Sequence, residues 1–261
     1  MEIFIFERFL SAAALPAAAL RRIHMKKSYI CLLLLLTFVC SCAGSASEDE
    51  IHKANYHYQI GVSYLNDNNI QPAFVEFQKA LEFNHRDKDV HNALGIIYLM
   101  KLEDYPKAVE HFKEALDIDE TFSEASNNLG NAYANMGKYY EAIESYKKAI
   151  SNPQYKNAAK ALHNMGMVYY RLSKFDEALD SFKEAIKRFS SFHLPYYGLA
   201  LCYNAKGQYG DASVAMARAI ELDPLYKGNK EKALEDLKEQ RIRARGIEEK
   251  DVNDYLDILK Y

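Results

Sequence analysis

The chain has 261 residues, with 33 lysines and arginines set against 36 aspartates and glutamates. That mild acidity, spread along the chain, argues against a nucleic-acid binder, which needs a basic patch. Eleven glycines, six prolines and no tryptophan point to helices joined by short connections.

Residues 1–24 fit no targeting scheme, whereas "MKKSYICLLL" reads as a complete signal start, so translation is expected to begin at Met25. The apolar run from Tyr29 to Val39 is about half of the ~20 residues a membrane-spanning helix needs. Lys26 and Lys27 precede it and small residues follow, the pattern of a secretory signal. Val39-Cys40-Ser41-Cys42 resembles the bacterial lipoprotein box. A cut before Cys40 puts bulky Phe38 and Val39 in the small-residue positions, which makes Cys42 the better candidate. The resemblance implies a diacylglycerol thioether on Cys42 and an acyl chain on its new amino group, and two or more chains hold a protein firmly to a bilayer. Ala43 and Gly44, with no aspartate after the cysteine, imply sorting to the outer membrane in Gram-negative bacteria. The alternative is an ordinary signal peptide cut near Ala46. The expected organisation is thus a signal over 25–41 and a flexible tether over 42–52. Without residues 1–41 the chain has 28 basic and 34 acidic residues, a net charge of −6, and Cys202 has no partner for an internal disulfide.

Self-similarity begins at residue 53. "YHYQIGVSY" (56–64), "VHNALGIIY" (90–98), "ASNNLGNAY" (125–133), "ALHNMGMVY" (161–169) and "PYYGLALCY" (195–203) share a small residue followed three later by tyrosine. The small residues Gly61, Gly95, Gly130, Gly166 and Ala200 are spaced 34, 35, 36 and 34 apart. After each comes a second pattern: Ala73-Phe77-Ala80, Ala108-Phe112-Ala115, Ala142-Tyr146-Ala149, Ala178-Phe182-Ala185 and Ala212-Met216-Ala219, the last followed by Pro224. This arrangement resembles the tetratricopeptide repeat over residues 53–226. The resemblance implies an all-α solenoid, a right-handed superhelix of antiparallel helix pairs, with five repeats and C-terminal capping helices over 227–261. In physical terms, small residues let paired helices approach, the aromatic fills the gap, and no pair buries its apolar face without a neighbour. Leucine at Gly130 is expected to overpack this contact. Asn68, Gly137 and Gly207 suit left-handed turns within the pairs.

Two junctions are irregular: one extra residue lies in "MKLEDYPKA" and two in "ISNPQYKNAAKALHN", both expected in loops. After Pro224, "KGNKEKALEDLKEQRIRARG" reads as a polar capping helix. The tail "IEEKDVNDYLDILKY" carries Val252, Tyr255, Leu256 and Leu259 at helical spacing, and either docks back on the array or binds elsewhere.

No catalytic constellation stands out, and neither an enzyme nor a cofactor, metal or small-molecule substrate is expected. The histidines are scattered, phosphate-cradling glycine loops are missing, and Cys202 reads as a small core residue. The candidate surface is the concave groove that the first helices line in this family. The resemblance places there Asn92, Asn127, Asn128, Asn131, Lys160, His163, Asn164, Tyr170, Arg171 and Tyr197. Asparagine amides offer donors and an acceptor suited to an extended peptide backbone, and Lys160 and Arg171 suit a carboxylate. The bland alternative is a solvated helix face.

The junction Asn152-Pro153-Gln154-Tyr155, the alanine-rich helix start and Asn164-Met165-Gly166 look like those of type IV pilus pilotins. These are outer-membrane lipoproteins of tetratricopeptide repeats that bring secretin subunits to that membrane and promote ring assembly. Pilotins of this kind usually carry six repeats, one more than here. A secretin subunit is then the implied protein partner and the periplasmic face of the outer membrane the implied location. A lipoprotein adaptor for periplasmic hydrolases or proteases is the alternative.

Overall fold

The computed structural model describes residues 46–261. The signal-like segment and Cys42 lie outside the described residues. Twelve helices and no strand occur among those described. The first ten form five hairpins: α1 (Glu48–Asn66) with α2 (Ile70–Phe83), α3 (Lys88–Met100) with α4 (Tyr105–Ile118), α5 (Ser123–Asn135) with α6 (Tyr139–Ser151), α7 (Ala158–Arg171) with α8 (Phe175–Arg188), and α9 (Leu194–Ala205) with α10 (Tyr209–Leu222). Helices α11 (Lys230–Arg243) and α12 (Gly246–Ile258) follow.

Helix α1 begins at Glu48, so residues 48–52, expected as flexible tether, are helical instead. Glu48, Asp49 and Glu50 occupy its first turn, where the helix dipole favours negative charge. Asp49 also pairs with Lys53 one turn on, at 2.6 Å.

Asn68, Gly137 and Gly207 have φ of 58°, 72° and 72°, the left-handed conformation expected of them. Ser173, at φ 57°, does the same in the fourth hairpin with a side chain that has no preference for it. The turns share one closing bond. The carbonyl of the repeat tyrosine accepts from the N–H five residues on: Tyr64 from Asn69 (2.8 Å), Tyr133 from Lys138, Tyr169 from Lys174 and Tyr203 from Gln208 (each 2.9 Å). In the second hairpin the donor to Tyr98 is Asp104, six residues on, at 2.9 Å. The extra residue of "MKLEDYPKA" is taken up inside that turn, Glu103 at φ 53°, and the ends still meet. Asp104 then caps α4 by accepting from Lys107 N.

Within each of the first four hairpins the glycine of the first helix faces the aromatic ring of the second. A Cβ placed at Gly61, Gly95, Gly130 or Gly166 would come within 2.5–2.7 Å of Phe77, Phe112, Tyr146 or Phe182 respectively. Those rings are at most 1% exposed. Phe182 is held from both sides: a Cβ at Gly198, on the next hairpin, would lie 2.4 Å from it.

Each second helix packs on the first helix of the following hairpin. The first helices α3, α5, α7 and α9 also touch one another in sequence, a set of contacts the second helices do not share. The stack therefore curves with its first helices inside. At the C-terminal end, α12 packs on α9, α10 and α11. Val252, Leu256 and Ile258 join a core that includes Leu199, Cys202, Met216 and Leu237. Of the two fates open to the tail, it takes docking.

Candidate docking trough

The asparagines of the first helices come together as a ladder across three hairpins. Asn128 Nδ2 donates to Asn92 Oδ1 at 3.0 Å. Asn164 Nδ2 donates to Asn131 Oδ1 at 3.0 Å and reaches Asn127 Oδ1 at 3.5 Å. Asn131 Oδ1 also accepts from the Tyr146 hydroxyl at 2.8 Å. Repetition at a 34–36-residue period makes this possible, because the same face of each first helix lies beside that of its neighbour, although the bonded asparagines are offset by one to three positions within the repeat. Both bonds to Asn131 use Oδ1, which leaves its amide nitrogen for an outside acceptor.

Beside the ladder lies an open cavity of about 860 Å³. Asn131, Asn164, Met167 and Tyr146 are among the residues that line it, with Leu99, Met100 and Tyr105 at one side and Arg171 and Ile247 at the other. Met100 and Ile247 are exposed, at 68% and 53%. The lining thus mixes the amides of Asn131, Asn135 and Asn164 with apolar side chains and the charged Glu103 and Arg171, a surface suited to a peptide whose backbone bonds to the amides while its side chains pack against the apolar residues.

The expected groove residues divide. Asn131, Asn164 and Arg171 line the cavity; Asn92, Asn127 and Asn128 support it through the ladder; Lys160 is exposed and does not line it. Tyr170 and Arg171, expected to receive a peptide, are engaged by the chain's own tail. The Arg171 guanidinium grips the Asp251 carboxylate with both terminal nitrogens, one bond at 2.6 Å, and the Tyr170 hydroxyl donates to Asp254 at 3.2 Å. Burial and the carboxylates of Asp254 and Asp251 push the Tyr170 phenol well up, and burial raises Asp254. The repeat pattern marks Tyr146 only as a core ring. The signal was present, since tyrosine replaces phenylalanine at that repeat position and a buried hydroxyl requires a partner. Asn131 is consequently structural as well as available: alanine there leaves the Tyr146 hydroxyl short of its partner and lowers stability.

Behind this cavity a smaller one, about 300 Å³, is lined by His163, Met167, Tyr197, Met216, Leu237 and Tyr255 among others. His163 Nδ1 is buried without a partner, and its ring meets Phe182 and Phe192 at 5.6 and 5.8 Å. Burial, and then the neighbouring His193, pushes its pKa down from 6.5 to about 4. The unfolded chain takes up this proton near pH 6.5 and the folded chain only near 4, so stability is whole above 6.5 and is lost as the pH falls toward 4. At pH 5 the loss should be about 2 kcal/mol. His111, lowered to about 4 by burial and then by His91, adds to it in the same window. Melting curves at pH 8 and pH 5 check this: His163→Phe should narrow the gap between them, and an equal gap in both proteins would refute it.

His57 Nδ1 lies 2.6 Å from Glu76 Oε2. Cys202 is fully buried, with its thiol pushed up to about 12 by that burial.

Profiles of the tetratricopeptide repeat match residues 121–191 and 157–225, and a TPR repeat profile matches 99–137. With four glycine-keyed hairpins, a fifth built on Ala200 and Met216, and an inner face of first helices, the chain has the all-α fold of tetratricopeptide repeats. Among its relatives is the type IV pilus assembly protein PilF of Pseudomonas aeruginosa, 30% identical over 105 residues, which are 40% of this chain and 41% of PilF. The chain thus spans about two fifths of the length of that relative. A solved structure of Pseudomonas aeruginosa pilF superposes with a TM-score of 0.64 at 20% identity, over 80% of this chain and 90% of that one. The crystal structure of PilW, a widely conserved type IV pilus biogenesis factor, has the same TM-score and identity over 78% and 90%. At that identity the superpositions speak to the fold.

Proposed function

We propose that this chain is a lipid-anchored interaction scaffold that aids assembly of a type IV pilus secretin at the outer membrane. The observation that carries the reading is the open cavity of about 860 Å³ beside the asparagine ladder, lined by amide, apolar and charged side chains together. Supporting it are the relationship to PilF and the lipoprotein-like box ending at Cys42. The mechanism is physical: the trough grips a segment of the secretin subunit while acyl chains on Cys42 carry the pair to the bilayer, and no bond is made or broken by the array.

Asn131→Asp tests the trough. A carboxylate keeps the acceptor that Tyr146 and Asn164 require but removes the amide donors and adds charge. Binding of a purified secretin periplasmic segment should weaken at least tenfold with the melting temperature preserved. In cells the same substitution should reduce secretin multimers while monomer persists. Unchanged binding and unchanged multimers together would end this reading.

A further inference from the structure

Helix α12 does more than close the end of the stack. Its three polar or aromatic contacts with the array, Asp251 to Arg171, Asp254 to Tyr170 and Tyr255 edge-on to Tyr197 at 5.6 Å, all fall on residues of first helices. A cap needs only an apolar underside, which Val252, Leu256 and Ile258 already supply. An ion pair removed from water adds little net stability over apolar packing, and its best-attested use is to specify which partner sits where. Asp251 is 9% exposed and gripped through both terminal nitrogens of Arg171, a geometry that selects a carboxylate in one place. The N-terminal end of α12 is open: Ile247 borders the cavity proposed above as the docking site. Only residues 244 and 245 join it to α11.

We propose that the C-terminal end of the trough is a receptor for an acidic helix, with two carboxylates three residues apart and an aromatic directly after the second. Helix α12 is its resident occupant, and a partner segment with the same pattern replaces it. The inference rests on reading the inner face as the docking face. The charge complementarity is explicit: the site offers a guanidinium and a phenol donor, and the resident presents Asp251, Asp254 and Tyr255 to them. A short connection holds the resident at millimolar effective concentration. A partner must therefore bind more tightly than α12 or arrive already tethered nearby, as a segment entering the adjacent cavity does.

The probe is an isotopically labelled synthetic peptide of residues 246–261, added to the full chain. Wild-type protein should take it up only at millimolar concentration. Asp251→Asn with Asp254→Asn in the chain weakens the resident and leaves the receptor intact, so the peptide should bind at least tenfold more tightly. Amides of the chain's own 247–258 should then exchange at least tenfold faster as the peptide saturates. Adding Arg171→Gln should erase the gain, as should a peptide with both aspartates replaced by asparagine. Tyr255→Leu in the chain is a second way to loosen the resident and should also tighten peptide binding. The idea fails if neither tail variant gains affinity, if the amide peptide binds equally well, or if the tail variants turn out to be dimers exchanging α12. The Asn131→Asp experiment reads the open cavity and not this site, so the two readings fail separately.

Discussion

Leucine in place of Gly166 should cost about 3 kcal/mol, at the upper end for overpacking a core. For a protein of this size that corresponds to a fall in melting temperature of roughly 6–12 °C. A first side-chain carbon at Gly166 would already lie 2.6 Å from the Phe182 ring, and the ring has nowhere to withdraw because the backbone at Gly198 closes its other side. Relief has to come from parting α7 from α8, which breaks the contact on which α9 is stacked. Thermal melting of Gly166→Leu beside Gly210→Ala checks this. Nothing lies within 4 Å of a Cβ at Gly210, so alanine there should leave the melt unchanged or slightly raised. Equal melting temperatures for the two variants would contradict the clamp.

The second large effect is expected from Arg171→Ala. Its side chain and that of Asp251 are 20% and 13% exposed, and truncation leaves a carboxylate in that sheltered place without its counter-charge. Breaking such a pair from one side should cost about 3 kcal/mol. The loss should be local, read as faster amide exchange through α12 while α3 to α6 stay protected. Arg171→Met combined with Asp251→Leu should recover most of it, because no charge is then stranded. A stability change below about 1 kcal/mol in the single variant would mean that water screens the pair.

The hairpins were readable because each is written in a local code. Glycine and its aromatic lie 16 or 17 residues apart, and the turns at Asn68, Gly137 and Gly207 announce themselves through residues that tolerate positive φ. Ser173 gave no such announcement, since its conformation is imposed by the closing bond from Lys174 to Tyr169. The asparagines were readable as inner-face residues, but their bonding was not. Whether Asn164 meets Asn131 or points to water depends on how far one hairpin rotates against the next. Residues 48–52, expected as flexible tether, are helical because a polar, acidic composition there also suits a helix N-terminus.

What the amino-acid order alone determined is the module, its period and its glycine-to-aromatic seat; the first helices were placed on the inner face by the family resemblance. The module's contacts lie within one repeat or between adjacent ones, so periodicity encodes them. Only the tertiary structure decided how much of that face stays open. Tyr170 and Arg171 look free in the repeat pattern, yet they are held by Asp254 and Asp251, 84 and 80 residues further on. No periodic signal links such positions; the reversal at residues 244 and 245, by folding α12 back onto the last hairpins, makes them neighbours.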